Sequence, residues 1–156
     1  MPSDRYIPKG AASLQITADR PAREFYFLLL PKLTMLAFSS AIEPLRIANQ
    51  LAQKQLYTWH AITPDGQGAT CSNGVTIQSD GAMGQISKEA SVFVCSGIDP
   101  IRAASKEVLG WIRQQDRQGA QLGGICTGAF ALAQAGVIRN RRFTLHWEKQ
   151  TKIVEK

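Results

Sequence analysis

The run Gln121-Leu122-Gly123-Gly124-Ile125-Cys126-Thr127-Gly128-Ala129-Phe130 constrains this chain more than any other. It sets a cysteine between two glycines, where a short apolar stretch gives way to a helix-forming one. That is the G-x-nucleophile-x-G arrangement of a nucleophile elbow, with sulfur in place of the serine oxygen. A nucleophile on a sharp strand-to-helix turn has a strained backbone, so its neighbours must be small enough for strand and helix to approach closely. A helix N-terminus behind such a group favours negative charge and offers N–H groups to an oxyanion. The competing reading is a small buried cysteine in a glycine-rich βα turn, because free cysteine is among the most buried residue types.

The rest of the chain supplies the sheet that an elbow needs. Residues 1–22 hold Pro2, Pro8, Gly10 and Pro21 without sustained periodicity and read as a flexible arm ahead of a domain over 23–156. Glu24 to Leu30 is apolar almost throughout, as expected of a strand buried on both faces of a parallel sheet, and Pro31 ends it. Ile42, Leu45, Ala48 and Leu51 recur at helical spacing between about Ala37 and Gln53. Leu56 to Ile62 is a second strand, followed by a turn at Thr63-Pro64-Asp65-Gly66. Ser72-Asn73-Gly74 joins two short strands as a hairpin with Val75 to Gln78. Ser91 to Cys95 is a buried strand ending at Ser96-Gly97, and a helix runs from about Ala103 to Arg117 with Val108, Trp111 and Ile112 inward. Ala120 to Ile125 enters the elbow, Thr127 to Ala135 leaves it as a helix closed by Gly136, and Arg142 to Leu145 reads as one more strand. Strands alternating with helices predict an α/β domain with a mainly parallel central sheet flanked by helices. Active sites of such sheets lie outside the C-terminal strand ends, where Cys95-Ser96-Gly97 and Cys126 both fall.

Composition narrows the function classes. The chain has 156 residues, 44% hydrophobic and 19% charged, which is one domain with a real core. The formal charge of +6 is scattered, its densest cluster being Arg139, Arg141 and Arg142, so it reads as a solvated basic surface and not a DNA-reading face. Cys71, Cys95 and Cys126 are far apart and odd in number, without metal-ligand spacing; they read as reduced thiols in a cytoplasmic protein with no metal and no cofactor. No apolar run approaches a membrane span of about 20 residues, and the N-terminus lacks the order of a signal peptide.

A nucleophilic cysteine needs a base or cationic neighbour, and the chain has two histidines. His60, between Trp59 and Ala61, reads as a structural strand residue. His146 follows the stretch Arg142 to Leu145, twenty residues after Cys126, with one helix between them. If that helix crosses over into a neighbouring parallel strand, both side chains reach the same sheet edge. Cys126 and His146 are therefore a candidate dyad.

Gly124-Ile125-Cys126-Thr127-Gly128, His146 and Phe38-Ser39-Ser40-Ala41-Ile42-Glu43-Pro44-Leu45-Arg46-Ile47-Ala48-Asn49 together resemble one family. It is the amidase-like, PfpI-type branch of the class I glutamine amidotransferase superfamily, whose domains are flavodoxin-like. More narrowly, the helix motif and Leu145-His146-Trp147 resemble the N-terminal sensor domain of AraC-family transcriptional regulators of the GlxA type. The likeness runs from about Glu24 to Glu148. Three departures from the enzymes stand beside it. PfpI-type proteases carry a histidine directly after the cysteine, where this chain has Thr127. Related deglycase and chaperone proteins place a glutamate at the start of the first helix, near Ala37 here, and no carboxylate occurs between Glu24 and Glu43. His146-Trp147-Glu148 imitates the His-x-Glu of glutamine amidotransferases, but much too close to the cysteine.

The resemblance therefore implies a ligand-sensing domain that binds a small nitrogenous metabolite, such as an amino acid or quaternary amine, in a pocket formed by Gly97, Cys126, Thr127 and His146. It implies a homodimer, and DNA contact only through a C-terminal pair of helix-turn-helix motifs absent from this chain. The family domain continues past the histidine, so the domain over 23–156 is expected to be truncated at its C-terminal side, leaving an open sheet edge or apolar patch that favours dimerisation. The alternative is a cysteine-dependent amidase, hydrolase or glyoxal-detoxifying enzyme in which Cys126 attacks and His146 moves protons. A redox-sensing Cys126 is a third reading.

Overall fold

Successive side chains of a strand point to opposite faces, and in strand β1 (Arg23–Leu29) both faces are apolar. Phe27 and Leu29 enter one core, Leu28 and the following Leu30 the other, and all four are at most 1% exposed. Burying each such side chain contributes roughly 1.5–3 kcal/mol, so β1 is the natural centre of a two-sided sheet. The computed structural model describes residues 19–145 and places β1 there.

The remaining elements follow in chain order: α1 (Met35–Ala52), β2 (Tyr57–Thr63), β3 (Ala69–Thr70), β4 (Thr76–Ile77), β5 (Gly81–Ala82), β6 (Ser91–Ser96), α2 (Pro100–Ala103), α3 (Lys106–Gln118), β7 (Gln121–Cys126) and α4 (Ala129–Ala135). The sheet runs β5-β2-β1-β6-β7 with every pairing parallel. The α/β, mainly parallel, flavodoxin-like expectation holds. One face packs on α1 and the β3–β4 hairpin through Phe38, Trp59, Ala69 and Cys95; the other packs on α3 and α4 through Val92, Val94, Ile112 and Leu132.

The predicted strands and helices lie within a residue or two of their expected bounds, with three corrections. The expected helix from Ala103 to Arg117 is two helices. Ala104 is extended and Ser105 starts α3 as its N-cap, its hydroxyl accepting from the Val108 N–H at 3.2 Å. The strand β5 was not anticipated. Arg142 to Leu145 forms no strand: Arg142, Phe143 and Thr144 are exposed and pair with no strand among the described residues, while Leu145 is held by Ala129 and Phe130. Residues 1–18 of the expected arm lie outside the described residues.

Two side chains close the outer edge of β2. Asn49, fully buried in α1, donates from Nδ2 to the Tyr57 carbonyl at 2.8 Å and accepts through Oδ1 from the Leu56 and Tyr57 N–H groups at 2.8 and 3.0 Å. This gives the last residue of the Phe38–Asn49 motif its physical meaning: it fastens helix to strand. Asp80 accepts the Ala61 N–H through Oδ2 at 2.9 Å and donates its own N–H to the Ala61 carbonyl at 2.7 Å. Beyond it, β5 pairs with Ile62 and Thr63.

Candidate functional site

Ser96 and Cys126 are register partners at the C-terminal ends of β6 and β7. Cys126 sits at φ 56°, in the left-handed region that side-chain-bearing residues rarely adopt. That is the strained elbow expected from the glycine spacing. The flanking glycines are sterically required. A Cβ on Gly128 would collide with the Val94 carbonyl oxygen, and one on Gly124 would lie 2.5 Å from the Ala129 nitrogen. Cys126 is exposed, so the buried-cysteine reading does not hold; Cys71 and Cys95 are the buried thiols, and all three are free. Burial, and secondarily the nearby Cys126, pushes the Cys95 thiol well above its ordinary value, so Cys95 is inert beside its exposed neighbour.

The group facing the thiol is Thr34. Its Oγ1 lies 3.5 Å from Cys126 Sγ, across 92 residues of sequence. Thr34 is also the N-cap residue of α1, yet its hydroxyl makes no capping bond. The hydroxyl that an N-cap usually gives to its own helix is here turned to sulfur. Sequence reasoning looked for an acid near Ala37 and missed Thr34; threonine ahead of an apolar helix reads as an ordinary cap, and nothing local signals its partner.

The other predicted site residues divide. Thr127, 4% exposed, donates its hydroxyl to the Gly97 carbonyl at 2.7 Å, joining the elbow to the loop after β6. Gly97 is pressed against Lys32, Leu33 and Thr34, where a Cβ would collide with the Lys32 carbonyl oxygen, and it pairs with Leu33 as an isolated bridge. The structure thus brings Gly97, Cys126 and Thr127 together, with Thr34 added. His146 lies outside the described residues. The Gly128 N–H donates to the Ile125 carbonyl at 3.0 Å, which takes one elbow N–H from any oxyanion. Ser96 Oγ, 2% exposed, has no partner among the described residues.

His60 belongs elsewhere. It stacks on Tyr26 with ring centroids 4.8 Å apart, and its Nε2 lies 3.2 Å from Glu24 Oε1. Burial first, then the hydrogen bond from its hydroxyl and the charge of Glu24, push the Tyr26 phenol up to about 12. This is the structural cluster that the strand context of His60 suggested. Among the described residues, no group of three or more His, Cys, Asp or Glu could hold a metal ion, and no helix is long and apolar enough to cross a membrane.

Comparison with known proteins places this geometry. The DJ-1/PfpI family pattern matches residues 36–156. The HTH-type transcriptional regulator CdhR of Pseudomonas aeruginosa is 45% identical over 127 residues, covering 81% of this chain and 38% of the relative. The HTH-type transcriptional regulator GlxA of Rhizobium meliloti is 36% identical over 141 residues, covering 88% of this chain and 43% of the relative. The chain thus spans well under half the length of these relatives. Among solved structures, an AraC family transcriptional regulator from Pseudomonas putida superposes with a TM-score of 0.71 at 24% identity, over 85% of this chain and 71% of that one, a likeness of fold.

Proposed function

The chain belongs to the DJ-1/PfpI family, and from that premise we propose that it is the ligand-sensing domain of an AraC-type transcriptional regulator. Its relatives CdhR and GlxA are HTH-type transcriptional regulators, which supports a regulatory role over an enzymatic one. The effector in this reading is a small nitrogenous metabolite. DNA is contacted by parts of the regulator beyond the span matched here, and the protein works in the cytoplasm as a homodimer. The domain comprises 23–156 behind an arm over 1–22, and Cys126, Thr127, Gly97 and His146 belong to its sensing face.

The observation that carries the reading is the neighbour of the thiol. A nucleophilic cysteine needs a base to take its proton and a third group to orient that base. Among the described residues, the group in reach of Cys126 is the Thr34 hydroxyl, which is neither base nor carboxylate at neutral pH. An exposed thiol held by a hydroxyl is suited to contact a ligand and poorly suited to turn one over.

The test uses turnover and binding side by side. The purified protein is assayed against amide substrates and α-dicarbonyls, with Cys126→Ala as the control. No Cys126-dependent turnover is expected, and in the full-length regulator Cys126→Ala leaves DNA binding intact. Hydrolysis or dicarbonyl consumption that disappears in Cys126→Ala overturns the proposal in favour of the enzyme.

A further inference from the structure

Away from the elbow, residues 83–90 connect β5 to β6 and cross the face of α3 as a strap. The ends of the strap are fixed. The Met83 N–H donates to the Thr63 carbonyl at 2.9 Å, and the Ala90 carbonyl accepts from the Gln121 N–H at 3.3 Å. Between these ends two contacts hold it down: Trp111 of α3 donates from Nε1 to the Gly84 carbonyl at 2.9 Å, and Ile86 packs against the core. Toward the end of α3 the strap stands off the helix. A cavity of about 380 Å³ is lined there by Gln85, Ile86 and Lys88 of the strap and by Gln118 of α3.

One buried side chain on this stripe of α3 has nothing to bond. Residues three and four apart share a helix face, so Gln115 sits between Trp111, which pins the strap, and Gln118, which lines the cavity. Gln115 is 1% exposed, and among the described residues neither its Oε1 nor its Nε2 has a partner. A carboxamide buried in this way has given up its bonds to water without replacing them, which is a net cost to the fold. The strap carries the complementary groups. Among the described residues, the backbone N–H groups of Gln85, Ile86, Ser87 and Lys88 donate to nothing, and the carbonyls of Gln85, Ile86 and Lys88 accept nothing.

We propose that the strap has two positions, the one described and a closed one, and that Gln115 is the latch of the closed one. In the described position the Trp111 bond holds Gly84, and the cavity separates the strap from the end of α3. In the closed position residues 85–88 come down on α3. The Gln115 carboxamide then donates to one strap carbonyl and accepts from one strap N–H, and the cavity is filled. The change leaves every strand pairing intact and gives a stranded amide its partners, so a modest differential interaction moves the equilibrium. The device does not depend on the sensing reading. It adds to that reading a movable segment: β6 runs from the strap to Ser96, the register partner of Cys126, so strap and elbow adjoin opposite ends of one pair of strands.

Relaxation-dispersion NMR on the isotopically labelled full chain tests this. Microsecond-to-millisecond exchange is expected at the backbone amides of Gln85 to Lys88 and at the Gln115 side-chain amide. The Asn49 side-chain amide, bonded through both its nitrogen and its oxygen, is the control and should show none. Gln115→Leu, close in volume and checked by circular dichroism, removes the latch and should abolish the strap exchange without lowering the urea midpoint. Trp111→Phe removes the pin and should raise the closed population about fivefold, the worth of one ordinary hydrogen bond. Strap exchange that survives Gln115→Leu overturns the proposal. So does a urea midpoint that falls in Gln115→Leu, because the carboxamide would then be bonded in the described position. Silence at the strap in both wild type and Trp111→Phe overturns it as well; should Trp111→Phe not fold, silence in wild type alone does so.

Discussion

The two ends of α1 are treated oppositely. At its C-terminal end Gln53 takes the left-handed conformation and returns its N–H to Asn49 and Gln50 carbonyls, while the Asn49 side chain satisfies three backbone groups of Leu56 and Tyr57, where the next strand begins. At its N-terminal end the capping residue leaves its own helix without a side-chain bond and faces a thiol. One end is saturated and holds the fold; the other forgoes a cap and makes a site. Local stability and chemical availability are set against each other within a single helix of 18 residues.

The contrast is open to measurement. Asn49→Leu should have the largest effect, because it strands the Leu56 and Tyr57 backbone groups: about 2–4 kcal/mol of stability, read as a lower urea midpoint at unchanged m. A loss below about 1 kcal/mol would mean that the clamp is ornamental. Next comes alkaline pH, through the core beneath the N-terminal half of the helix. The Cys95 thiol is raised by burial, so its contribution is complete below the ordinary value of 9.0 and is lost as pH rises above it. Stability should then fall by on the order of 1 kcal/mol per pH unit, and Cys95→Ala should flatten that slope; an unchanged slope refutes the assignment. Third, Thr34→Val removes the hydroxyl from Cys126 and should change its rate of alkylation by about threefold, the worth of one modest hydrogen bond. An identical rate would show that the contact is idle. The smallest effect is expected for the stability of Thr34→Ala: under about 0.5 kcal/mol, against the 0.5–2 that an engaged N-cap gives. A loss of about 1 kcal/mol or more would erase the difference between the two ends.

Much of this was legible in the sequence wherever cause and effect lie within one segment. Apolar EFYFLLL marked the central strand, and the glycines around Cys126 report a clash between adjoining elements that spacing alone encodes. The Ser72-Asn73-Gly74 turn likewise joins β3 to β4. What stayed hidden depends on partners far along the chain. Thr34 meets Cys126 only once β1 and β7 lie in one sheet, and Lys32, Asp65 and Glu107 line one cleft only because two connections and the start of α3 converge. The break at Ser105 is readable in principle, since a serine followed by a helix is an N-cap signal, but the helical periodicity on either side runs across it and masks it. Arg142 to Leu145 failed as a strand for the converse reason: a plausible strand composition forms nothing without a neighbour to pair with.

The side chains that close β2 also bear on how copies of this molecule can meet. Tyr57 is engaged by Asn49, Ala61 by Asp80, and the Thr63 carbonyl accepts from the Met83 N–H, so these ladder positions are closed to an incoming strand. At the opposite margin, β7 has no outer neighbour among the described residues. Fibre growth by edge pairing requires two accepting edges per molecule. With these β2 positions taken, an incoming strand finds no continuous ladder at that margin, and repeated edge-on-edge growth is hindered there.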